Sequence, residues 1–284
     1  MFVAGCIGKR HTTIPANQVW IKMFTVRLER VRQLSASTRD FVFTRQDGQV
    51  IDYVPGQFFR FNFEDKEGTF ERSYSLCNYQ DLYSTRLDVV ISEVDGGRAT
   101  RLLFADDLED MTAQVTGPFG RLILPTQVPK RLILVATSVG LAPFMPILKI
   151  LESRPCDRVV LLLGVRNRDE FIYGRILLAY AERYPWFEIR LCLSREKALQ
   201  NYEYDGYVNQ QLSDIDMDPE GDHLLLCGNP YMIDEAWSEL REKGFNAKQV
   251  IREKYVFAKD TAAAKTNLTS EQKKLIQEKL KKYR

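Results

Sequence analysis

The chain has 284 residues, 45% of them hydrophobic and 11% aromatic, a balance that suits one large or two ordinary domains with a sizeable buried core. A net charge of +2 gives no overall nucleic-acid signal, and no apolar run reaches the ~18 residues of a membrane span. Two histidines (His11, His223) and five widely spaced cysteines (Cys6, Cys77, Cys156, Cys192, Cys227), with no Cys-x-x-Cys pair, argue against a metal centre, an iron–sulfur cluster or triad chemistry, and fit reduced thiols in a cytosolic protein.

Residues 1–22 read as an extension, disordered or upstream of the true start. Val3-Ala4-Gly5-Cys6 looks like a lipoprotein cleavage site but lacks the basic and apolar regions that precede one. Residues 23–126 are patterned as β-structure. Strands are expected over 25–31 and 39–44, with a hairpin turn at Gln46-Asp47-Gly48-Gln49. Pro55-Gly56 precedes a Phe-rich strand, Phe58-Phe59-Arg60-Phe61-Asn62-Phe63, and Asp65-Lys66-Glu67-Gly68 is the next turn. A strand over 87–94 ends at Asp95-Gly96-Gly97, and a short helix begins near Ala99. Gly117-Pro118-Phe119-Gly120 reads as a turn before Leu122-Ile123-Leu124. Roughly six strands in about 100 residues predict a small closed antiparallel barrel.

Residues 125–129, bounded by two prolines, read as a linker into a domain spanning 130–260. There the period changes. Arg131-Leu132-Ile133-Leu134-Val135-Ala136 is continuously apolar, the mark of a strand buried on both faces. Further strands are expected at 158–163, 187–193, 223–227 and 250–257, alternating with helices at 142–151, 170–184, 207–212 and 230–243. Strand–helix alternation predicts a doubly wound parallel sheet. Residues 261–284 carry seven Lys or Arg against Glu271 and Glu278, and Ile276, Leu280 and Tyr283 fall at helical spacing. They read as a basic helical tail, either a solvated helix or a steering element for acidic partners.

Chemistry concentrates in two places. In Arg72-Ser73-Tyr74-Ser75, alternate residues share a strand face. Arg72 can therefore hold an anionic group while Tyr74 lies against a flat heterocycle. In the second domain the unusual residues follow the strands: Thr137-Ser138-Val139-Gly140, Gly164-Val165-Arg166, Ser194-Arg195 and Cys227-Gly228-Asn229-Pro230. Open parallel sheets bind ligands at the carboxyl ends of their strands, and glycines, a helix start and two arginines there point to a nucleotide.

The order Arg-x-Tyr-Ser, Gly-Gly-x-x-Thr, Gly-Leu-Ala-Pro-Phe, Ser-Arg and Cys-Gly-Asn-Pro-x-Met resembles the ferredoxin–NADP reductase family, and more closely its bacterial flavodoxin and ferredoxin reductases, from Met23 to Phe257. The resemblance implies a two-domain fold: an antiparallel β-barrel for FAD and an α/β doubly wound sheet for NADP(H). It implies that Arg72 contacts the FAD pyrophosphate, that Tyr74 stacks on the isoalloxazine and that Ser75 bonds near its reactive nitrogen. Gly97, Arg98 and Thr100 would carry the diphosphate, and Val90 and Ser92 would line the flavin. Thr137, Gly140 and Gly228 would receive NADP, with Ser194, Arg195 and Arg166 on its 2′-phosphate. Cys227 and Tyr255 would lie by the nicotinamide and the flavin, with Phe257 the second choice for that aromatic role, and Glu253 compares with a carboxylate near the site in plant enzymes. Tyr74, Ser75, Cys227 and Tyr255 make up the implied catalytic set, and no metal is implied.

The implied activity is FAD-dependent electron transfer between NADPH and a small acidic one-electron carrier, ferredoxin or flavodoxin, by a cytoplasmic monomer. An NAD(P)H reductase serving an oxygenase or free flavin, and a flavoprotein regulator without turnover, are the alternatives. The family has Gly-Thr-Gly where this chain has Ser138-Val139-Gly140, which predicts a poorer backbone approach to the pyrophosphate.

Overall fold

The computed structural model describes residues 21–255, so Phe257, the basic tail and nearly all of the expected N-terminal extension lie outside the described residues. The first half forms a six-stranded antiparallel sheet from β1 (Lys22–Ser35), β2 (Thr38–Arg45), β3 (Phe58–Asp65), β4 (Gly68–Ser75), β5 (Arg86–Ser92) and β6 (Thr112–Phe119), in the order β4-β3-β6-β1-β2-β5. Its edges meet where Leu76 bridges Val89 and the Cys77 N–H donates to the Asp88 carbonyl at 2.8 Å, which closes the barrel at one end. Phe59, Phe61 and Phe63 alternate along β3, so their rings all point inward and, with Phe41 and Phe43, fill the barrel. The helix α1 (Arg98–Leu103) packs Leu103 into that core.

The second half is a parallel sheet of β7 (Arg131–Thr137), β8 (Arg158–Val165), β9 (Phe187–Leu193), β10 (Glu203–Asp205), β11 (Asp222–Gly228) and β12 (Val250–Lys254), in the order β10-β9-β8-β7-β11-β12. Helices α2 (Phe144–Leu151), α3 (Gly174–Arg183), α4 (Val208–Ser213) and α5 (Pro230–Glu242) connect them. Residues Leu132 to Ala136 of β7 are fully buried, as a doubly covered strand requires. The strand order reverses at β7, so the loops after β7, β8 and β11 open onto one crevice.

Several local expectations are corrected. The turn at Gln46–Gln49 exists, but β2 pairs with β1 and β5, so it joins no hairpin. The hairpins are β1–β2 and β3–β4. Gly117-Pro118-Phe119 lies inside β6 rather than in a turn. Residues 122–124 form no strand, because Leu122 leaves the barrel to pack against the second domain. The helix expected from 170 starts only at Gly174, because Tyr173 adopts φ 57° and breaks the run. The helix expected from Ala142 begins at Phe144, after a 3-10 turn at Ser138–Leu141. The edge strand β10 is too short to leave a period in the sequence.

Candidate active site

The end of β4 meets the end of β12 at the junction of the two sheets. The Tyr255 hydroxyl donates to Ser75 Oγ at 2.8 Å, and Ser75 Oγ donates to Glu253 Oε1 at 3.1 Å. The tyrosine is held there because its N–H donates to the Gly228 carbonyl at 2.8 Å, which extends the β11–β12 ladder by one residue. The Cys227 side chain lies fully buried at the end of β11, close to Tyr255. Burial raises the Cys227 thiol and the Tyr255 phenol well above their ordinary values, so both stay neutral. Burial also raises Glu253 to about 7, against the opposing hydrogen bond from Ser75. Three of the four residues of the expected catalytic set, Ser75, Cys227 and Tyr255, are thus brought together, and Glu253 joins them.

The fourth, Tyr74, points to the other face of β4. Its ring lies edge-on to Phe61 and Phe63, with centroids 5.6 and 6.4 Å away. Arg72 and Arg98 sit beside it, each with its guanidinium over the Phe70 ring, at 5.3 and 4.4 Å. Two cations on one aromatic residue near a half-buried tyrosine suit an aromatic group that carries a diphosphate. Arg98 is also held by Asp65, at 2.9 and 2.5 Å, and this pair lowers the Asp65 carboxyl to about 2. A diphosphate must therefore share Arg98 with a carboxylate. The Thr100 hydroxyl turns inward, donating to the Val94 and Gly97 carbonyls, and so supports the turn at Gly97. Val90 is 5% exposed and packs into the core between the domains rather than into an open site.

From Tyr255 a cavity of about 720 Å³ runs along the carboxyl ends of the parallel strands. Ser92, Thr137, Arg166, Ser194, Arg195 and Gly228 all line it. The ends of β8 and β9 are laced together: the Ser194 N–H donates to the Val165 carbonyl at 3.1 Å, and the Arg195 N–H to the Arg166 carbonyl at 2.8 Å. The Ser194 hydroxyl adds a bond to the Val165 carbonyl at 3.3 Å, and the exposed Arg166 and Arg195 guanidiniums take no part and have no partner among the described residues. The loop behind them is pinned by the buried Glu203, which accepts from Arg168 Nε and Nη2 at 2.6 and 2.8 Å and from the Leu199 and Gln200 N–H groups at 2.7 and 3.0 Å. Those bonds lower Glu203 to about 2 and keep it charged. Gly140 does not line the cavity. It is buried against Cys227, where an added Cβ would lie 2.4 Å from that residue's carbonyl oxygen. Ser138, in place of the family's glycine, has φ 49°, so the left-handed turn is kept without the residue that adopts it freely.

Sequence reasoning missed the acidic lining. Glu170 accepts from Ser35 Oγ at 2.8 Å and from Ser37 Oγ at 3.0 and 3.1 Å, tying the β1–β2 hairpin to the second domain. Glu235, Tyr207 and Tyr231 also face the cavity. No motif marks them. Tyr207 and Tyr231 stand at helix starts and are 69% and 84% exposed, which only the structure shows.

Residues 25–123 match the oxidoreductase FAD-binding domain model, and residues 134–237 match the oxidoreductase NAD-binding domain model. The chain belongs to the ferredoxin-reductase-type family of oxidoreductases. It is 27% identical over 240 residues to ferredoxin–NADP reductase B of Sorangium cellulosum, covering 82% of this chain and 97% of that one. It is 26% identical over 219 residues to the phenol hydroxylase P5 protein of Acinetobacter pittii, covering 76% of this chain but 61% of that protein's length. A ferredoxin NADP+ reductase from Neisseria gonorrhoeae shares the fold at TM-score 0.71 and 23% identity, over 82% of this chain and 98% of that one. The chain is thus an oxidoreductase with FAD- and NAD(P)-binding domains. Among the described residues, no helix is long and apolar enough to cross a membrane.

Proposed function

We propose that this reductase moves electrons between NADPH and a small one-electron carrier of the ferredoxin or flavodoxin kind. The observation that carries the reading is the Tyr255–Ser75–Glu253 chain, set across the domain junction on a dinucleotide-sized cavity that is also lined by two arginines with no partner among the described residues. The residues fit both cofactors. Arg72, Arg98 and Tyr74 would hold FAD by its diphosphate and ring, and Arg166 and Arg195 would hold the 2′-phosphate of NADPH.

The chemistry supplied by bound FAD is acceptance of a hydride from a nicotinamide and release of its electrons singly. The protein contributes placement and one proton. Tyr255 fixes the face at the junction where the nicotinamide is admitted, and neutral Cys227 gives that face an uncharged floor. Glu253, half protonated near pH 7, can hand its proton through Ser75 Oγ, or take one back as the charge at the site changes.

A second reading, a reductase component of an oxygenase system, is supported by relatives named as the phenol hydroxylase P5 protein and the toluate 1,2-dioxygenase electron transfer component of Pseudomonas putida. Stopped-flow reduction with NADPH and NADH, followed by reoxidation with ferredoxin or flavodoxin, separates the two. Fast bleaching by NADPH and fast reoxidation by either carrier are expected. Bleaching by NADH alone, or no electron transfer to either carrier, overturns the first reading.

A further inference from the structure

The cavity that takes a polyanionic coenzyme contains a carboxylate that the reading above does not use. Glu235, in the second turn of α5, lines it beside Tyr231 and Met232. Its Oε2 accepts from Asn209 Nδ2 at 2.5 Å, and Asn209 Nδ2 also donates to the Met232 carbonyl at 3.3 Å. Asn209 is 8% exposed, so the carboxylate is anchored from behind by a fixed donor. That anchor occupies one oxygen of Glu235 and leaves the other without a partner among the described residues.

A fixed negative charge beside a phosphate-bearing ligand lowers affinity unless the ligand brings it a donor. The donors on a nicotinamide dinucleotide are the carboxamide, the ribose hydroxyls and the exocyclic amine of adenine. Two features select the amine. The exposed rings of Tyr207 and Tyr231 line the same cavity as Glu235, Tyr207 two residues before Asn209 and Tyr231 one helical turn before Glu235, and are flat walls of the kind a base stacks on. The nicotinamide end is fixed elsewhere, at Tyr255, and the guanidiniums of Arg166 and Arg195 stand on the loops after β8 and β9.

We infer that Glu235, held by Asn209, reads the 6-amino group of the coenzyme's adenine between Tyr207 and Tyr231, and so makes the enzyme selective for the base as well as for the 2′-phosphate. The inference rests on the NADPH reading. A 6-oxo base presents lone pairs to the carboxylate where adenine presents N–H, so it loses a charge-assisted bond and gains a repulsion.

The test compares NADPH with its hypoxanthine analogue, in which the 6-amino group is replaced by a 6-oxo group and N1 gains a proton, on the FAD-loaded wild type and on Glu235→Ala. The wild type should favour NADPH by tenfold or more in kcat/KM, mostly through KM, because the base is remote from the hydride. Glu235→Ala should bring the two coenzymes within about threefold of each other, and Glu235→Gln, which keeps an acceptor, should retain part of the preference. A wild type that uses both coenzymes equally overturns the inference and leaves the NADPH reading standing, as does a Glu235→Ala enzyme with its preference intact. If Glu235→Ala alters NADH alone, with the hypoxanthine ratio unmoved, then the carboxylate reads the ribose hydroxyls instead. A protein bleached by neither coenzyme fails at the earlier reading, and that outcome is distinct from all of these.

Discussion

The Arg195 guanidinium has no partner among the described residues, because its backbone, not its side chain, ties the end of β9 to the end of β8. A charge-assisted bond to a phosphate contributes on the order of 1.5–3 kcal/mol. Arg195→Ala should therefore cost NADPH roughly ten- to a hundredfold in kcat/KM at about 1.4 kcal/mol per tenfold, chiefly in KM, and leave NADH nearly unmoved. Steady-state assays with both coenzymes check this, and an equal loss for both would remove the phosphate role. Glu253 makes a prediction of the opposite electrostatic kind. Its carboxyl rises from the ordinary 4.5 to about 7 on folding, so the native state keeps a proton that the unfolded chain gives up. The stability linked to that proton is complete below about pH 4.5 and gone above about pH 7, a change on the order of 3 kcal/mol at 1.36 kcal/mol per unit. Urea unfolding from pH 4 to 8 should show the wild type falling relative to Glu253→Gln, and parallel profiles would mean that Glu253 titrates normally. Ser75 and Cys227 were legible because each lies at the end of a strand inside an ordered motif, and Tyr255 only as the aromatic that the family resemblance implies near the end of the second domain. Glu170 and Glu235 were not, because their partners are 133 and 26 residues away and belong to no motif.

At the level of elements, the turn after β7 separates two uses of glycine. Gly140 is needed for closeness: a methyl group there would meet the Cys227 carbonyl at 2.4 Å, and that backbone is held by the β7–β11 ladder. Ser138 occupies a position where glycine would relieve a left-handed φ costing roughly 1–2 kcal/mol, although glycine also loosens the unfolded chain by about 0.5–1 kcal/mol. Gly140→Ala should lower stability by about 1–3 kcal/mol, the range for forced overpacking, whereas Ser138→Gly should be neutral or slightly stabilising. Thermal unfolding of the two variants, read by circular dichroism, decides it. A harmless Gly140→Ala would mean that the turn gives way. The buried strands β7, β8 and β11 were legible from their continuous apolar runs. The β6 strand was missed because Gly117 and Pro118 carry turn chemistry, although both lie in the strand and Gly117 pairs with Lys22 of β1. The break before α3 is set by the conformation of Tyr173, a residue whose composition signals nothing.

At the level of the molecule, the barrel keeps its own aromatic core and one face of the parallel sheet keeps another, but a third cluster is shared between the two sheets. Cys77, Val90 and Leu122 from the barrel half are buried in the same cluster as Leu134, Leu141 and Leu163 of the parallel sheet. Polar ties reinforce this contact: Ser35 and Ser37 to Glu170, Tyr79 Oη to Glu152 at 3.0 Å, and the Cys77 thiol to Tyr173 Oη at 3.4 Å. The two-domain division was visible as a change of period near residue 130, but the shared core was not, since no local pattern encodes which faces meet. Scanning calorimetry should give one cooperative transition for both sheets, with calorimetric and van't Hoff enthalpies in agreement. Two resolved peaks would mean that the halves melt independently. The shared core also changes what happens to a chain cut between residues 126 and 129. Each fragment would carry an apolar face shaped only for the other, so neither should stay in solution alone, while holding the two together through fused partner proteins should restore the enzyme. The cut reductase would then serve as a complementation reporter, its flavin colour returning only when two fused proteins bring the fragments together.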